Sequence, residues 1–102
     1  MSNTEIANNI IDQLGGAGRL CAMLNVKAFL AVESGLSFQF KNRAGKPNSV
    51  TIKLNPRDEY DVKFHRIARS GMSVKPMGDV EGVYAGELKR IIEEKTGLYL
   101  SL

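Results

Sequence analysis

The chain has 102 residues and a mass of 11.2 kDa, which is the size of one small domain. Hydrophobic residues make up 43% of it and charged residues 25%, a composition that excludes a disordered or fibrous protein. Cys21 is the only cysteine, which excludes an intramolecular disulfide and a cysteine-rich zinc site. We therefore expect one domain over residues 1–102, without a cofactor and in a reducing compartment.

The sequence shows no pattern of targeting or membrane insertion. Residues 1–14 contain Glu5 and Asp12 but no Lys or Arg, unlike the basic start of a signal peptide. An apolar run such as 28–32 is far shorter than the roughly 20 residues of a membrane helix. We expect a soluble protein of the cytoplasm with no membrane partner.

Two short helices are predicted at the N-terminus. Ser2 and Glu5 form a capping-box pattern, and apolar residues at helical spacing then predict a helix over 3–14 that ends at Gly15-Gly16. A second apolar pattern predicts a helix over 18–24, in which we interpret Cys21 as a small core residue rather than a nucleophile. The glycine-rich link between them is interpreted as a helix–helix turn, because the phosphate-binding fingerprints need a preceding strand.

From residue 28 onward the hydrophobic period becomes two, which predicts strands. The expected strands are 28–32, 36–41, 50–54, 60–65 and 72–75, and Pro76 either closes the last strand or marks it as an edge. Short connections favour an antiparallel meander. One face would be apolar, with Leu36, Phe38, Phe40, Val50, Ile52, Leu54, Tyr60, Val62 and Phe64. The other would be polar, with Ser37, Gln39, Lys41, Thr51, Lys53, Asp61, Lys63 and His65.

A C-terminal helix completes the predicted fold. Tyr84, Leu88, Ile91 and Ile92 form an apolar stripe, and the string Thr96-Gly97-Leu98 is typical of a glycine-capped helix end. The sequence therefore predicts an α+β domain, with two N-terminal helices, a meander of about five strands and a C-terminal helix packed on the sheet.

Several short strings, spread over nearly the whole chain, carry a family resemblance. They are Leu14-Gly15-Gly16, Met23 before Lys27-Ala28-Phe29, Leu36-Ser37-Phe38, Thr51-Ile52-Lys53-Leu54-Asn55, Tyr60-Asp61-Val62, Val83-Tyr84-Ala85, Thr96-Gly97-Leu98-Tyr99 and Ser101-Leu102. Together they resemble a family of small uncharacterised proteins encoded by bacteriophages, prophages and other mobile elements. The resemblance implies a phage-borne gene acting in a bacterial cytoplasm, and it implies no activity, ligand or catalytic residue.

The middle of the chain is basic, whereas the net charge of the whole chain is only +3. Such asymmetry bears on partners, because nucleic-acid binding needs cations gathered on one surface. The candidate contacts are Lys41, Arg43, Lys46, Lys53, Lys63 and Arg66. Lysines on exposed strands also protect against aggregation, so a solvated surface is the competing interpretation.

An enzyme is the class that the sequence supports least. Asp61 and Lys63 share a strand face, as in the acid-x-Lys pair of metal-dependent nucleases, where Asp58 or Glu33 would have to supply a second acid. His65 is the only histidine, which excludes sites built on two histidines. Alternating charge on a solvated strand is the favoured interpretation of Asp61 and Lys63, and no pattern identifies a small-molecule substrate.

The leading hypothesis is a non-catalytic module that binds protein, a second copy of itself included. Two features support this hypothesis: the expected edge strand at 72–75 and the apolar C-terminal tail, residues 98–102. An open edge can accept a strand from another chain, and a two-fold pair would bury both tails. The candidate self-association residues are Met72, Val74, Leu98, Tyr99 and Leu100. Nucleic-acid binding is the first alternative and a metal-dependent nuclease the second.

Overall fold

The chain folds as two helices, five strands and a third helix, in that order along the sequence. The computed structural model describes residues 3–24, 26, 28–42, 45–68 and 73–98. The elements are α1 (Asn3–Gln13), α2 (Ala17–Leu24), β1 (Ala28–Val32), β2 (Gly35–Gln39), β3 (Ser49–Leu54), β4 (Tyr60–Ile67), β5 (Val74–Val83), a 3₁₀ turn (Ala85–Glu87) and α3 (Leu88–Thr96). The predicted α+β fold is confirmed.

The five strands form one antiparallel sheet in the order β1-β2-β3-β4-β5, so each strand pairs with its neighbours in sequence. The period-two alternation fixes two faces. Phe38, Val50 and Phe64 lie opposite one another on adjacent strands and are buried, as the sequence predicts. Lys53, which has the other parity, is exposed.

The three helices cover the apolar face and form one core with it. Each helix contributes residues at i, i+4 spacing: Ile6 and Ile10 from α1, Leu20 and Leu24 from α2, and Leu88 and Ile92 from α3. We call this side of the sheet the helix face and the other side the open face. None of the described helices has the length and apolar composition needed to cross a bilayer.

The last strand is longer than the sequence predicts. Pro76 does not close the strand but lies within an edge strand, the second of the two expectations, and β5 spans ten residues, Val74–Val83. Proline is tolerated here because β5 is an edge strand and the ladder with β4 shifts register next to Pro76.

Two side chains expected in the core are exposed. Cys21 is exposed because α2 buries Leu20 and Leu24, and residue 21 lies off that stripe. Tyr84 is 62% exposed because it adopts an extended conformation before the 3₁₀ turn and does not belong to α3. The predicted glycine cap of α3 is confirmed, since Gly97 has φ 73° and its N–H donates to the Glu93 carbonyl at 2.9 Å.

Gly35, the first residue of β2, lies where two strands approach closely. It pairs with Lys53, and a side chain at this position would overlap the Ile52 carbonyl oxygen. The turn before it is joined to β3 as well, because the Leu54 N–H donates to the Ser34 carbonyl at 2.8 Å. Because Gly35 has no side chain, β2 can approach β3 closely at this point, where the β1–β2 hairpin joins the rest of the sheet.

Candidate functional site

The open face is the polar surface that the sequence predicts, and among the described residues no helix packs on it. Its centre is held by a hydrogen bond from Thr51 Oγ1 to Ser37 Oγ of 3.1 Å. Lys53 and Lys63 lie on this face, as do Asp61 and the half-buried His65. The open face is therefore available to a ligand, and its charges decide which kind.

Two lysines of the open face, Lys53 and Lys63, each lie directly opposite an aspartate. Lys53 of β3 pairs in register with Asp61 of β4, and Lys63 of β4 pairs with Asp79 of β5. Opposite charges in such cross-strand positions attract each other by about 0.2–1 kcal/mol. The arrangement lowers the positive potential that a phosphate backbone would meet at these two lysines.

Arg66, another predicted nucleic-acid contact, has a structural role. By parity it belongs to the helix face, and its Nη1 donates to the Asn42 carbonyl at 3.3 Å and to the Lys46 carbonyl at 3.1 Å. It thus holds the β2–β3 loop. Lys41 and Lys46 are exposed, whereas Arg43 lies outside the described residues. Of the candidate cations in the described chain, Lys53 and Lys63 thus lie on the open face, whereas Arg66 lies on the helix face.

The predicted nuclease pair, Asp61 and Lys63, does share the open face. Asp61 Oδ1 accepts hydrogen bonds from Asn55 Nδ2 at 3.1 Å and from the Gly82 N–H at 3.2 Å. It lines a cleft of about 440 Å³ that also contains Glu59, Glu81 and Arg57.

Within the described chain, no group of three or more His, Cys, Asp or Glu side chains is placed to hold a metal ion. The expected second acids, Glu33 and Asp58, lie in the β1–β2 and β3–β4 turns and form no such group with Asp61. The hydrogen bonds of Asp61 give it a structural role, because they tie the β3–β4 turn to β5.

The edge formed by β5 carries several features that hinder pairing with another strand. Pro76 has no N–H to donate, and the pairing with β4 shifts register twice, between Tyr60 and Val62 and between Phe64 and His65. Lys75, Asp79 and Glu81 are exposed along it. Proline, bulges and charges are the means by which proteins protect sheet edges.

The edge formed by β1 carries none of these features. Its sequence, AFLAV, contains no charge, proline or glycine, and all five of its residues pair with β2 without a register shift. Phe29 lies on the helix face, with its ring centroid 5.7 Å from that of Phe38. Leu30 therefore points to the open face, where it is 63% exposed.

No strand of the described chain lies on the outer side of β1. In an edge strand, alternate residues direct their N–H and C=O groups away from the sheet, where another strand can bind them. Apolar side chains, outward-facing backbone groups and a regular register make β1 the candidate functional site in the described part of this protein.

Two of the residues predicted for self-association lie in the described chain, and they belong to different parts of the fold. Val74 is exposed on the protected edge, and Leu98 packs against the core from the end of α3. Met72, Tyr99 and Leu100 lie outside the described residues. The sequence pattern did not identify β1 as an open edge, although the first strand of a meander is an edge as surely as the last.

Comparison of the chain with family models, with curated proteins and with solved structures finds no match.

Proposed function

We propose that this chain is a non-catalytic binding module, encoded by a phage or prophage and acting in a bacterial cytoplasm, that pairs with a strand of a partner protein along β1. The phage context rests on the resemblance of the sequence alone. The observation that carries the binding function is the unprotected β1 edge, with Leu30 63% exposed beside it.

Strand addition explains the features of β1 together. A partner strand takes its affinity from main-chain hydrogen bonds, each with a net value of about 0.5–1.5 kcal/mol, and its specificity from alternate side chains. Leu30 offers the apolar contact on the open face, since full burial of a leucine contributes about 1.5–3 kcal/mol relative to exposure. A folded partner with an edge of its own, or an extended segment, would supply the second strand.

Nucleic-acid binding remains the alternative proposal, and the structure supports it less. Lys53 and Lys63 each face an aspartate, and Arg66 holds a loop. A nucleic-acid ligand would have to rely on Lys41, Lys46 and the charges of the loops.

Three exposed apolar side chains make a matched experiment possible. Leu30, Val74 and Tyr84 are 63%, 58% and 62% exposed, but only Leu30 lies on the unprotected edge. A photo-reactive phenylalanine analogue is placed at each position in turn, and the three variants are irradiated in bacterial cells that express them. Non-specific apolar association would give similar amounts of covalent adduct at the three positions, because the three side chains are almost equally exposed.

We expect a discrete adduct from position 30, and at least fivefold less from positions 74 and 84. Introducing Ala31→Pro into the position-30 variant should remove the adduct, since proline lacks an N–H and interrupts strand pairing. Circular dichroism checks that this double variant is folded. Equal adducts from the three positions, or none from position 30, would refute binding at β1.

A further inference from the structure

Resting on the proposed function, we infer that β1 binds the backbone of its partner through two residues, Phe29 and Ala31, and that Leu30 between them contacts an apolar side chain of the partner. The part of the partner that is recognised is then a strand that places an apolar residue beside Leu30. The hydrogen bonds of the neighbouring strands determine these roles, because they fix the side to which each backbone group of β1 points.

The ladder between β2 and β3 shows which backbone groups of β2 point away from β1. The Phe40 N–H donates to the Asn48 carbonyl at 2.9 Å, and the Ser34 carbonyl accepts from the Leu54 N–H at 2.8 Å. These two bonds lie just beyond the two ends of the paired β2–β3 register. Since the backbone groups of successive strand residues point to opposite sides, even-numbered positions of β2 bind β3 and odd-numbered positions bind β1.

The turn of the β1–β2 hairpin gives the same assignment independently. It has two residues, and the register partners Val32 and Gly35 flank it. A two-residue hairpin turn is closed by a hydrogen bond between the residues that flank it. Val32 therefore directs its backbone groups to β2. Every second residue of β1 does the same, which gives the set Ala28, Leu30 and Val32.

Phe29 and Ala31 consequently direct their N–H and C=O groups to the outer side of β1, where no strand of the described chain lies. A strand added on this side forms its hydrogen bonds with these two residues, whether it runs parallel or antiparallel to β1. The backbone groups of Leu30 bind β2, so Leu30 contributes to the partner through its side chain.

The side chains of β1 assign the apolar contact to Leu30. It is 63% exposed on the open face, whereas Val32 on the same face is half-buried. On the helix face, Phe29 is half-buried beside Phe38, and Ala31 is exposed but small. In an added strand, the residue beside Leu30 also lies on the open face. An apolar side chain there would cover the exposed leucine, whereas a charged one would lose water without gaining a partner.

Amide hydrogen exchange of the free chain, measured by NMR on the isotope-labelled full chain in dilute solution, tests the backbone assignment without any partner. The amide of Leu30 should exchange at least tenfold more slowly than those of Phe29 and Ala31, after correction for intrinsic rates. β3 is the control, because it has a strand on each side, so its neighbouring residues Thr51 and Ile52 should both be protected. Equal exchange at Leu30 and Ala31, or faster exchange at Leu30, overturns the assignment.

Proline substitution tests the same assignment through stability. Ala31→Pro removes an N–H that points outward, where an edge strand tolerates proline, so the urea midpoint should fall by less than about 0.3 M. Val32→Pro removes an N–H that binds β2 and should lower the midpoint by about 1 M relative to Val32→Ala, which keeps the N–H. A larger loss in Ala31→Pro than in Val32→Pro contradicts the assigned direction of the backbone groups.

The covalent adduct at position 30 tests the partner's side of the contact. Proteolysis of the adduct and tandem mass spectrometry identify the partner residue that lies beside position 30. We expect an apolar residue within a segment rich in β-branched and aromatic residues, which is typical of a strand. A crosslink to a charged residue, or to a segment that is helical in the partner, overturns the contact assigned to Leu30.

The two proposals fail separately. If position 30 gives no adduct, the proposed binding at β1 is refuted, and the partner contact of Leu30 with it. If the adduct forms but the amide of Leu30 exchanges as fast as that of Ala31, binding at β1 stands and the roles given to Phe29 and Ala31 are refuted.

Discussion

The two edges of this sheet differ in kind, although both belong to one meander. β5 is ten residues long and carries Pro76, two register shifts and three exposed charges, whereas β1 is five residues long, uncharged and regular. Within the described part of the chain, proline, register shifts and charges thus protect the β5 edge, and β1 has none of them. An unprotected edge can pair with a strand of another chain. Because this chain protects its β5 edge, the lack of these features at β1 supports the proposed binding there.

The largest effect expected concerns the attachment of β1. Gly35→Ala would drive a methyl group into the Ile52 carbonyl and force the β1–β2 hairpin away from β3. We expect a loss of about 3 kcal/mol in the free energy of unfolding, measured by urea denaturation. Gly86→Ala is the control, because nothing lies within 4 Å of its added methyl group, and it should change stability by less than about 0.5 kcal/mol. Equal losses in both variants would contradict the close approach at Gly35.

A smaller effect is expected at the protected edge. Asp61→Ala removes the acceptor of the Asn55 and Gly82 hydrogen bonds, which join the β3–β4 turn to β5. We expect a loss of about 1–2 kcal/mol and faster amide hydrogen exchange around Gly82. Asp61→Asn keeps one acceptor oxygen, so its free energy of unfolding should fall by less than that of Asp61→Ala. Asp79→Ala, at an exposed position on β5, is the control and should change the free energy of unfolding by no more than about 0.5 kcal/mol. A destabilised Asp79→Ala with an unaffected Asp61→Ala would reverse this assignment.

The smallest effect is expected on the open face between the two edges. Because Lys53 and Lys63 face aspartates, we expect no mobility shift with duplex DNA or RNA at ~50 mM salt, where electrostatic binding is strong. Replacing Lys41, Lys53 and Lys63 together by glutamate turns two attractive cross-strand pairs into like-charge pairs, and we expect it to lower the free energy of unfolding by about 1 kcal/mol. A wild-type shift that this triple variant abolishes would establish the nucleic-acid alternative instead.

The sequence by itself determined the three helices, the first four strands and the two faces of the sheet. Phe40 and Ile52 are buried and Lys53 is exposed as predicted, because side chains alternate along a strand whatever its partners are. The sequence also predicted where α1 and α3 end, because the glycines at these positions allow the left-handed backbone that ends a helix. These are local properties, set by a few neighbouring residues.

Only the tertiary structure decided which residues lie opposite one another and which edge is protected. Three findings depend on contacts between strands and loops. Lys53 pairs with Asp61, Arg66 donates a hydrogen bond to the β2–β3 loop, and β5 continues past Pro76. The sequence revealed strand 28–32, but a strand's pattern of side chains does not show how many neighbours bind its backbone. The physical reason is that hydrogen bonds between strands are long-range, so the open edge at β1 became visible only when the sheet was assembled.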